Sequence, residues 1–149
     1  MNAEQINSYF IKVTNKNKYI TNLVTSKILY CMLQDNKSIN LKLSDESKNI
    51  ILDLEQQIRE CMNRFGTYNF KTALRGHMLR AKVYMNDINV ILEGEYSNLE
   101  EIKTRQVDGF ISIKLKGVHI QKTYIQPCFE ILEINGNYMN NIIIDQKHD

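Results

Sequence analysis

The clearest periodic pattern in the chain lies in residues 44–66, which read SDESKNIILDLEQQIRECMNRFG. Apolar residues recur there at steps of three and four, the spacing that lines one face of an α-helix. Ser44 or Asp45 can cap its start by accepting a hydrogen bond from a backbone amide, and Gly66 marks its end. The pattern predicts one amphipathic helix over residues 46–65, and burial on the chain's own core is favoured over docking onto a partner.

Strands are predicted on both sides of this helix, because apolar and polar residues alternate there. Before the helix, the predicted strands are 9–13, 26–34 and 39–43. Residues 19–33 also fit a helical spacing, so a strand is favoured there but a helix stays open. After the helix, the predicted strands are 78–85, 88–96, 110–120 and 129–134.

Turn signals divide these strands. Asn86-Asp87 predicts that the two strands beside it form a hairpin, and Asn135-Gly136-Asn137 predicts a second turn. Gly117 predicts a bulge or a sharp bend within its strand. Residues 99–106 fit a short helix or a loop.

The predicted fold class is therefore α+β and mostly β. Five to seven strands need closure or a second layer to cover their edges. A small OB-like barrel with the amphipathic helix 46–65 meets this need, and an open antiparallel sheet with the helix packed on one face is the alternative. The length of 149 residues predicts a single domain over 1–149, with residues 135–149 as an extended acidic tail.

Composition excludes several classes of protein. Apolar residues make up 43% and charged residues 24% of the chain, as in an average globular domain, so neither disorder nor a membrane protein is expected. The start Met1-Asn2-Ala3-Glu4 lacks the features of a signal peptide. Cys31, Cys61 and Cys128 form an odd set without a CxxC pair, which indicates buried thiols in a reducing, intracellular compartment, nuclear or cytoplasmic. No metal ligand spacing is present, and no cofactor is expected.

Charge is distributed unevenly along the chain. Residues 1–128 hold 18 basic and 13 acidic side chains, whereas residues 129–149 hold one and four. Residues 12–34, 61–86 and 109–129 contain basic side chains and no acid. The chain thus has a basic body and an acidic end, an asymmetry for which chance clustering on a solvated surface is the alternative to a functional role.

Basic and aromatic residues recur on the polar faces of the predicted strands. If these strands are neighbours, they form a cationic surface that neutralises phosphates and stacks unpaired bases without reading sequence. Edge protection by lysine is the alternative explanation for any one of them. The predicted nucleic-acid contacts are Phe10, Lys12, Lys42, Arg75, Arg80, Lys82, Tyr84, Lys114 and Lys116.

An enzyme is not predicted. The chain contains no phosphate-binding glycine loop, nucleophile elbow or zinc-protease motif. His77 in Arg75-Gly76-His77 suits acid–base chemistry, but an ordinary loop histidine is favoured. Glu93 and Glu95 are predicted to share one strand face beside Glu100-Glu101, where a solvated acidic face is favoured over a metal site.

One part of the chain resembles a known family. The run Gly109-Phe110-Ile111-Ser112-Ile113-Lys114-Leu115-Lys116-Gly117-Val118-His119-Ile120, followed by Phe129-Glu130-Ile131-Leu132-Glu133-Ile134, is similar to the closing strands of single-stranded-DNA-binding proteins of large double-stranded DNA viruses. The composition, rich in Asn, Ile and Lys, is similar too. The resemblance implies an OB-like fold, cooperative coating of single strands, DNA or RNA, and work in replication or recombination, in a virus-infected host cell.

A non-catalytic module for protein interaction or self-assembly is the alternative function. Its predicted contact region is 129–144, comprising the apolar strand 129–134 and the run Ile142-Ile143-Ile144. Such a region would make the chain a homo-oligomer, and no membrane partner is expected.

Overall fold

The computed structural model describes residues 1–14, 19–30, 38–66, 68–83 and 88–143 of the chain. The fold is mostly β, with one long helix. The described elements, in chain order, are β1 (Asn2–Asn7), β2 (Phe10–Thr14), β3 (Tyr19–Tyr30), β4 (Ser38–Leu43), α1 (Asp45–Met62), β5 (Asn69–Phe70), β6 (Leu74–Arg75), β7 (Met78–Lys82), β8 (Asn89–Leu92), β9 (Glu95–Ser97), α2 (Glu100–Thr104), β10 (Arg105–Gln121) and β11 (Tyr124–Ile143).

Helix α1 confirms the prediction for residues 46–65, since a short 3₁₀ turn, Asn63–Phe65, continues it to Gly66. The hydroxyl of Ser44 caps the helix by accepting a hydrogen bond from the amide of Ser47 at 3.1 Å. Acidic side chains in the first turn suit the helix dipole. The buried stripe of the helix is Ser47, Ile51, Leu54, Glu55, Ile58 and Met62, so one face of α1 lies on the core.

The strands form one mixed sheet. Its main path runs β1-β2-β10-β3-β4-β7-β11-β8-β9, with β5 on β11 and β6 on β7. Strands β10 and β11 also pair with each other in antiparallel orientation, and their register pairs run from Arg105 with Ile143 to Gln121 with Tyr124. Strands β5, β7 and β8 all join β11 in parallel. Among the described residues, the sheet therefore has open edges at β1 and β9, eleven strands rather than five to seven, and mixed rather than purely antiparallel pairing.

The predicted hairpin between residues 78–85 and 88–96 is wrong. Strand β7 pairs with β4, β6 and β11, and the second predicted strand is itself a hairpin of β8 and β9. Glu93 and Gly94 form its two-residue turn, with φ of 55° and 80°. Positive φ at both positions matches the twist of the flanking strands, so the chain reverses there instead of continuing.

The predicted turn at Asn135-Gly136-Asn137 is also wrong, because these residues lie inside β11 opposite β10. Gly109 and Gly136 are register partners where the two strands approach closely. A Cβ added at Gly136 would lie 2.3 Å from the carbonyl oxygen of Asp108. Glycine therefore serves here to let two backbones meet, and residues 135–143 of the predicted acidic tail belong to the sheet; residues 144–149 lie outside the described residues.

The core is built from strand faces and α1. Fully buried side chains include Ile11, Ile39, Leu41, Ile58 and Phe129. Phe129, Ile131 and Ile134 are all buried within one chain. These side chains of the predicted assembly region 129–144 therefore fill the protein's own core, while homo-oligomer formation stays a prediction. The side chains of residues 142–144 lie outside the described residues.

Other elements agree with the sequence pattern. Helix α2 forms within residues 99–106, and the register of β10 shifts between Leu115 and Gly117, which is the predicted bulge. Across the described part of the chain, no helix combines the length and the apolar character that crossing a bilayer requires.

Candidate functional site

A continuous groove runs along one side of the sheet between β7, β11 and the segment 71–75. It has two adjoining lobes that share Ala73, Arg80 and Gln126 as lining residues. The first, named here the His119 lobe, encloses about 400 Å³. The second, named the Arg75 lobe, encloses about 350 Å³. Together they form a concave surface that carries Arg75, Arg80 and Lys82 of the predicted contact residues.

The groove is strongly basic. Arg80 and Lys82 line the His119 lobe, and Lys71, Arg75 and Arg80 line the Arg75 lobe. Among the described residues that line the two lobes, none is acidic. Four cations in one groove produce a positive potential that the surrounding low-dielectric walls focus.

Buried and exposed side chains alternate along β7, which pairs with β4, and this alternation brings part of the positive charge to the groove. Met78, Arg80 and Lys82 lie on one face of β7, whereas Leu79 and Ala81 between them are buried. Arg80 lies opposite Asn40 of β4, and its Nε donates a hydrogen bond to the Asn40 side-chain oxygen at 3.4 Å. The basic face of β7 therefore lines the groove, because the opposite face packs in the core.

A buried glutamate of α1 holds the segment that carries Lys71 and Arg75. Both oxygens of the Glu55 carboxylate accept hydrogen bonds, one from the Thr72 hydroxyl and one from the Ala73 amide at 2.8 Å. From the other side, the Gln126 amide donates to the Thr72 carbonyl at 3.1 Å. The segment is therefore fixed between α1 and β11.

Burial raises the pKa of Glu55, while the hydrogen bonds from Thr72 and Ala73 and the charge of Arg59 act in the opposite direction. Glu55 is 3% exposed. The carboxylate thus carries a desolvation cost that its two hydrogen bonds offset only in part.

One carboxylate lies among the lysines at the other end of the groove. Glu130 of β11 is 8% exposed and is the register partner of both Lys82 and Lys114. The Lys116 ammonium lies 3.9 Å from its Oε1. Three lysines surround one glutamate, so this end is positive but not purely cationic.

Six of the nine predicted contact residues lie in the groove or next to it. Arg75, Arg80 and Lys82 line the groove. Lys42 lies on the same face of β4 as Asn40 and so continues the basic face beyond the Arg75 lobe. Lys114 and Lys116 of β10 are half-buried around Glu130, next to the groove rather than in it.

Phe10 and Lys12 are on β2, and Tyr84 lies outside the described residues. The Phe10 ring contacts His119, its register partner on β10, with ring centroids 5.2 Å apart and planes tilted by 58°. Gly117 makes room for this ring, because an added Cβ there would lie 2.6 Å from it. Lys12 is exposed opposite Gly117.

His119 links this ring pair to the basic groove, since it lines the His119 lobe with Arg80 and Lys82. Burial, followed by the positive charges of Lys82 and Lys116, holds the pKa of His119 below its usual value of 6.5. The imidazole is therefore neutral at neutral pH. Its ring serves as a flat aromatic wall there, and it adds a charge only in acid.

Cys128 lines the same lobe and is buried. Burial raises the pKa of its thiol, and the charge of Glu130 adds to the increase, while Lys82 and Lys116 oppose it. The thiol is protonated at neutral pH, and a protonated thiol is a poor nucleophile. Cys61 is half-buried, and Cys31 lies outside the described residues.

Sequence reasoning missed Lys71, His119 and Glu55 as parts of this site. Lys71 lies in the acid-free stretch 61–86, which was a usable signal. Glu55 occupies the apolar stripe of α1 between Ile51 and Ile58, and a charge in such a stripe is a second signal. His119 had no signal, because the bulge at Gly117 and the pairing of β2 with β10 bring it to the groove.

The other candidate chemical groups lie elsewhere. His77 pairs with Asp45 at the start of α1, Nε2 to Oδ1 at 2.5 Å, and this hydrogen bond lowers the pKa of Asp45. Glu93 is in the β8–β9 turn, where its carboxylate accepts from the Tyr138 amide at 2.8 Å, so it does not share a strand face with Glu95. The described residues contain no cluster of three or more metal-ligating side chains.

No family model, curated protein or solved structure matches the chain.

Proposed function

We propose that this chain binds single-stranded nucleic acid, DNA or RNA, in the basic groove and largely without regard to sequence. The observation that carries the proposal is the convergence of Lys71, Arg75, Arg80 and Lys82 on one groove whose described lining has no acid. Such a groove suits a polyanion that follows it, because each cation that neutralises a phosphate releases a condensed counterion.

The shape of the groove favours an unpaired strand. Its lobes of about 400 and 350 Å³ are pockets in a sheet surface, of the size that takes small groups. The backbone of a single strand can turn its bases inwards, towards rings such as Phe10 and His119. A duplex presents phosphates outside and stacked bases inside, so it would use the charges and leave the pockets empty.

Glu130 is an acidic residue next to the basic groove. Its carboxylate is 8% exposed and is matched by Lys116 at 3.9 Å. Lys82 and Lys114 flank it in register. We infer that Glu130 orients these lysines, while the net charge around it stays positive.

The fold that we propose for this function is OB-like. Five strands are linked in a circuit by their pairings: β3 to β4, β4 to β7, β7 to β11, β11 to β10 and β10 back to β3. All pairs are antiparallel except β7 with β11, which rests on the single register pair Glu130 and Lys82. A five-stranded, partly open barrel is the architecture of OB-folds, and β1, β2, β8 and β9 would be additions to it.

A role in DNA replication or recombination is part of the proposal, on the resemblance of residues 109–134 to viral single-stranded-DNA-binding proteins. A protein with this role coats strands of any sequence. Contacts to phosphates alone satisfy that requirement, since they carry no sequence information.

Charge reversal at the groove tests the proposed function. The double variant Arg80→Glu/Lys82→Glu is compared with the wild type for binding to a fluorescein-labelled oligothymidylate of about 30 nucleotides, long enough to fill more than one site. Both side chains are exposed, and because Lys82 is the register partner of Glu130, thermal unfolding of the variant checks that it folds. We expect affinity to fall by at least about a hundredfold at low salt, because two attractive contacts become repulsive.

Lys48→Glu is the matched control. It reverses one charge on α1, at a residue that lines neither lobe, and is compared with the double variant and with each of its single charge reversals. Its affinity should stay within about twofold of the wild type. Absence of binding by the wild-type protein, or an equal loss in the control, would contradict the proposed function.

Self-assembly is the second candidate function, and one observation favours it. Strand β1 is at the edge of the sheet, and Ile6 and Tyr9 beside its turn are 53% and 62% exposed. An exposed edge with apolar side chains is a surface on which a second strand can pair. Light scattering at increasing concentration tests it: a dimer that Ile6→Lys dissociates supports self-assembly, and a strict monomer removes it.

A further inference from the structure

We propose that the His119 lobe is a binding pocket for one unpaired nucleobase, so that the site accepts a single nucleotide as well as a strand. This inference rests on the proposed function, because it names what part of the ligand enters the enclosed end of the same groove.

The walls of the lobe match the two halves of a nucleotide. Val83, Pro127 and Phe129 form the buried back of the lobe, where Val83 and Phe129 belong to the core and are each 1% exposed. Arg80 and Lys82 supply positive charge at the side that faces solvent. A ligand with a flat, weakly polar ring and an adjoining anion satisfies both surfaces at once, and a nucleotide is such a ligand.

His119, whose ring contacts that of Phe10, forms a wall of the same lobe. The two ring centroids lie 5.2 Å apart, and of the two residues His119 lines the lobe. Burial and the charges of Lys82 and Lys116 keep the imidazole neutral. It can therefore stack on a base without bringing a buried charge into the pocket. Gly117 secures the arrangement by leaving space for the Phe10 ring.

Polar groups around the lobe can contact a base edge. The side chain of Gln126 lines both lobes and is held by its hydrogen bond to the Thr72 carbonyl at 3.1 Å. Its position is therefore set before any ligand arrives, and a preorganised amide costs little ordering entropy on binding. An amide both donates and accepts hydrogen bonds, so it suits any of the bases.

The test compares two labelled strands of equal length and charge: oligothymidylate and a fully abasic strand. A base pocket predicts that the abasic strand binds at least about tenfold more weakly, whereas a purely electrostatic groove predicts equal affinity. Thymidine 5′-monophosphate is the third probe, with the ring signals of His119 in NMR spectra as the readout.

Three variants locate the effect. Ala73→Leu fills the lobe and should lower the affinity for oligothymidylate to that for the abasic strand. His119→Ala removes the aromatic wall and should act in the same direction, whereas His119→Phe keeps a ring and should restore binding. Tyr96→Ala is the control, because Tyr96 is 87% exposed on β9 and lines neither lobe.

The outcomes separate the two proposals. Equal, salt-dependent binding of both strands overturns the base pocket and leaves the proposed function standing. No binding of either strand, with His119 signals that shift on adding the mononucleotide, overturns the proposed function and supports the pocket. No binding of any of the three probes overturns both.

Discussion

The carboxylate of Glu55 on α1 accepts a hydrogen bond from the backbone amide of Ala73, 2.8 Å away in the wall of the basic groove. This bond, with the partner bond from Thr72, connects the helix to the segment that presents Lys71 and Arg75. Glu55 is not itself a lining residue but contacts Thr72 and Ala73, which are, so it acts as a positioning residue.

Glu55→Ala is expected to destabilise the protein by about 1–3 kcal/mol, because the Ala73 amide and the Thr72 hydroxyl lose their buried acceptor. Glu55→Gln should retain both contacts, since its oxygen can accept from Ala73 and its amide can donate to Thr72. Urea unfolding measures the difference. Oligonucleotide affinity should fall in the alanine variant and stay near wild type in the glutamine variant; equal affinities in both would contradict a positioning role.

The buried charge of Glu55 also predicts a pH dependence. Its pKa is raised in the folded protein, so the folded state binds a proton more readily than the unfolded chain. The free energy of unfolding contributed by this group is therefore highest in acid and falls as pH rises from about 4.5 through the raised pKa. Glu55→Gln should remove this decline in unfolding experiments across that range; an unchanged slope would contradict the assignment.

His119 predicts a pH dependence of opposite sign. Its pKa is lowered by burial and by Lys82 and Lys116, so the unfolded chain takes up the proton first as pH falls. Its contribution to stability is present above about pH 6.5 and is lost below it, towards the lowered pKa. Thermal unfolding between about pH 5 and 7 should show this loss in the wild type and not in His119→Phe.

The close approach of the paired strands β10 and β11 at Gly109 and Gly136 predicts that residue 136 must be glycine. Gly136→Ala is expected to cost about 1–3 kcal/mol or more, since the new Cβ would lie 2.3 Å from the Asp108 carbonyl and 2.7 Å from Val107. Gly76→Asn is the control: its φ of 63° suits asparagine, and nothing lies within 4 Å. Chemical denaturation compares them, and equal stabilities would contradict the close approach.

The sequence predicted the elements whose signals are local. The stripe of Ile51, Leu54 and Ile58 identified α1, and alternation in residues 78–82 placed Arg80 and Lys82 on one exposed face. Both signals depend on a repeat within a few residues, which the backbone geometry of a helix or strand dictates.

Pairings between distant strands could not be predicted in the same way. The parallel neighbours of β11 and the turn at Glu93-Gly94 depend on contacts across the chain and on unusual backbone angles. His119 reached the groove through such a pairing, with Phe10. Lys71 and Lys82 likewise reach the same groove because Glu55 binds the segment between them through Ala73. No local sequence pattern indicates this long-range hydrogen bond.

The salt dependence of oligothymidylate binding tests the central claim, which is that four groove cations neutralise backbone phosphates. For a single strand the logarithm of the affinity falls with the logarithm of salt concentration by about 0.7 per neutralised phosphate, so four cations predict a slope near −3. Arg75→Gln and Lys82→Gln should each reduce its magnitude by about 0.7, and Lys48→Gln should leave it unchanged. A slope near zero, or one that the groove variants do not change, would contradict the account.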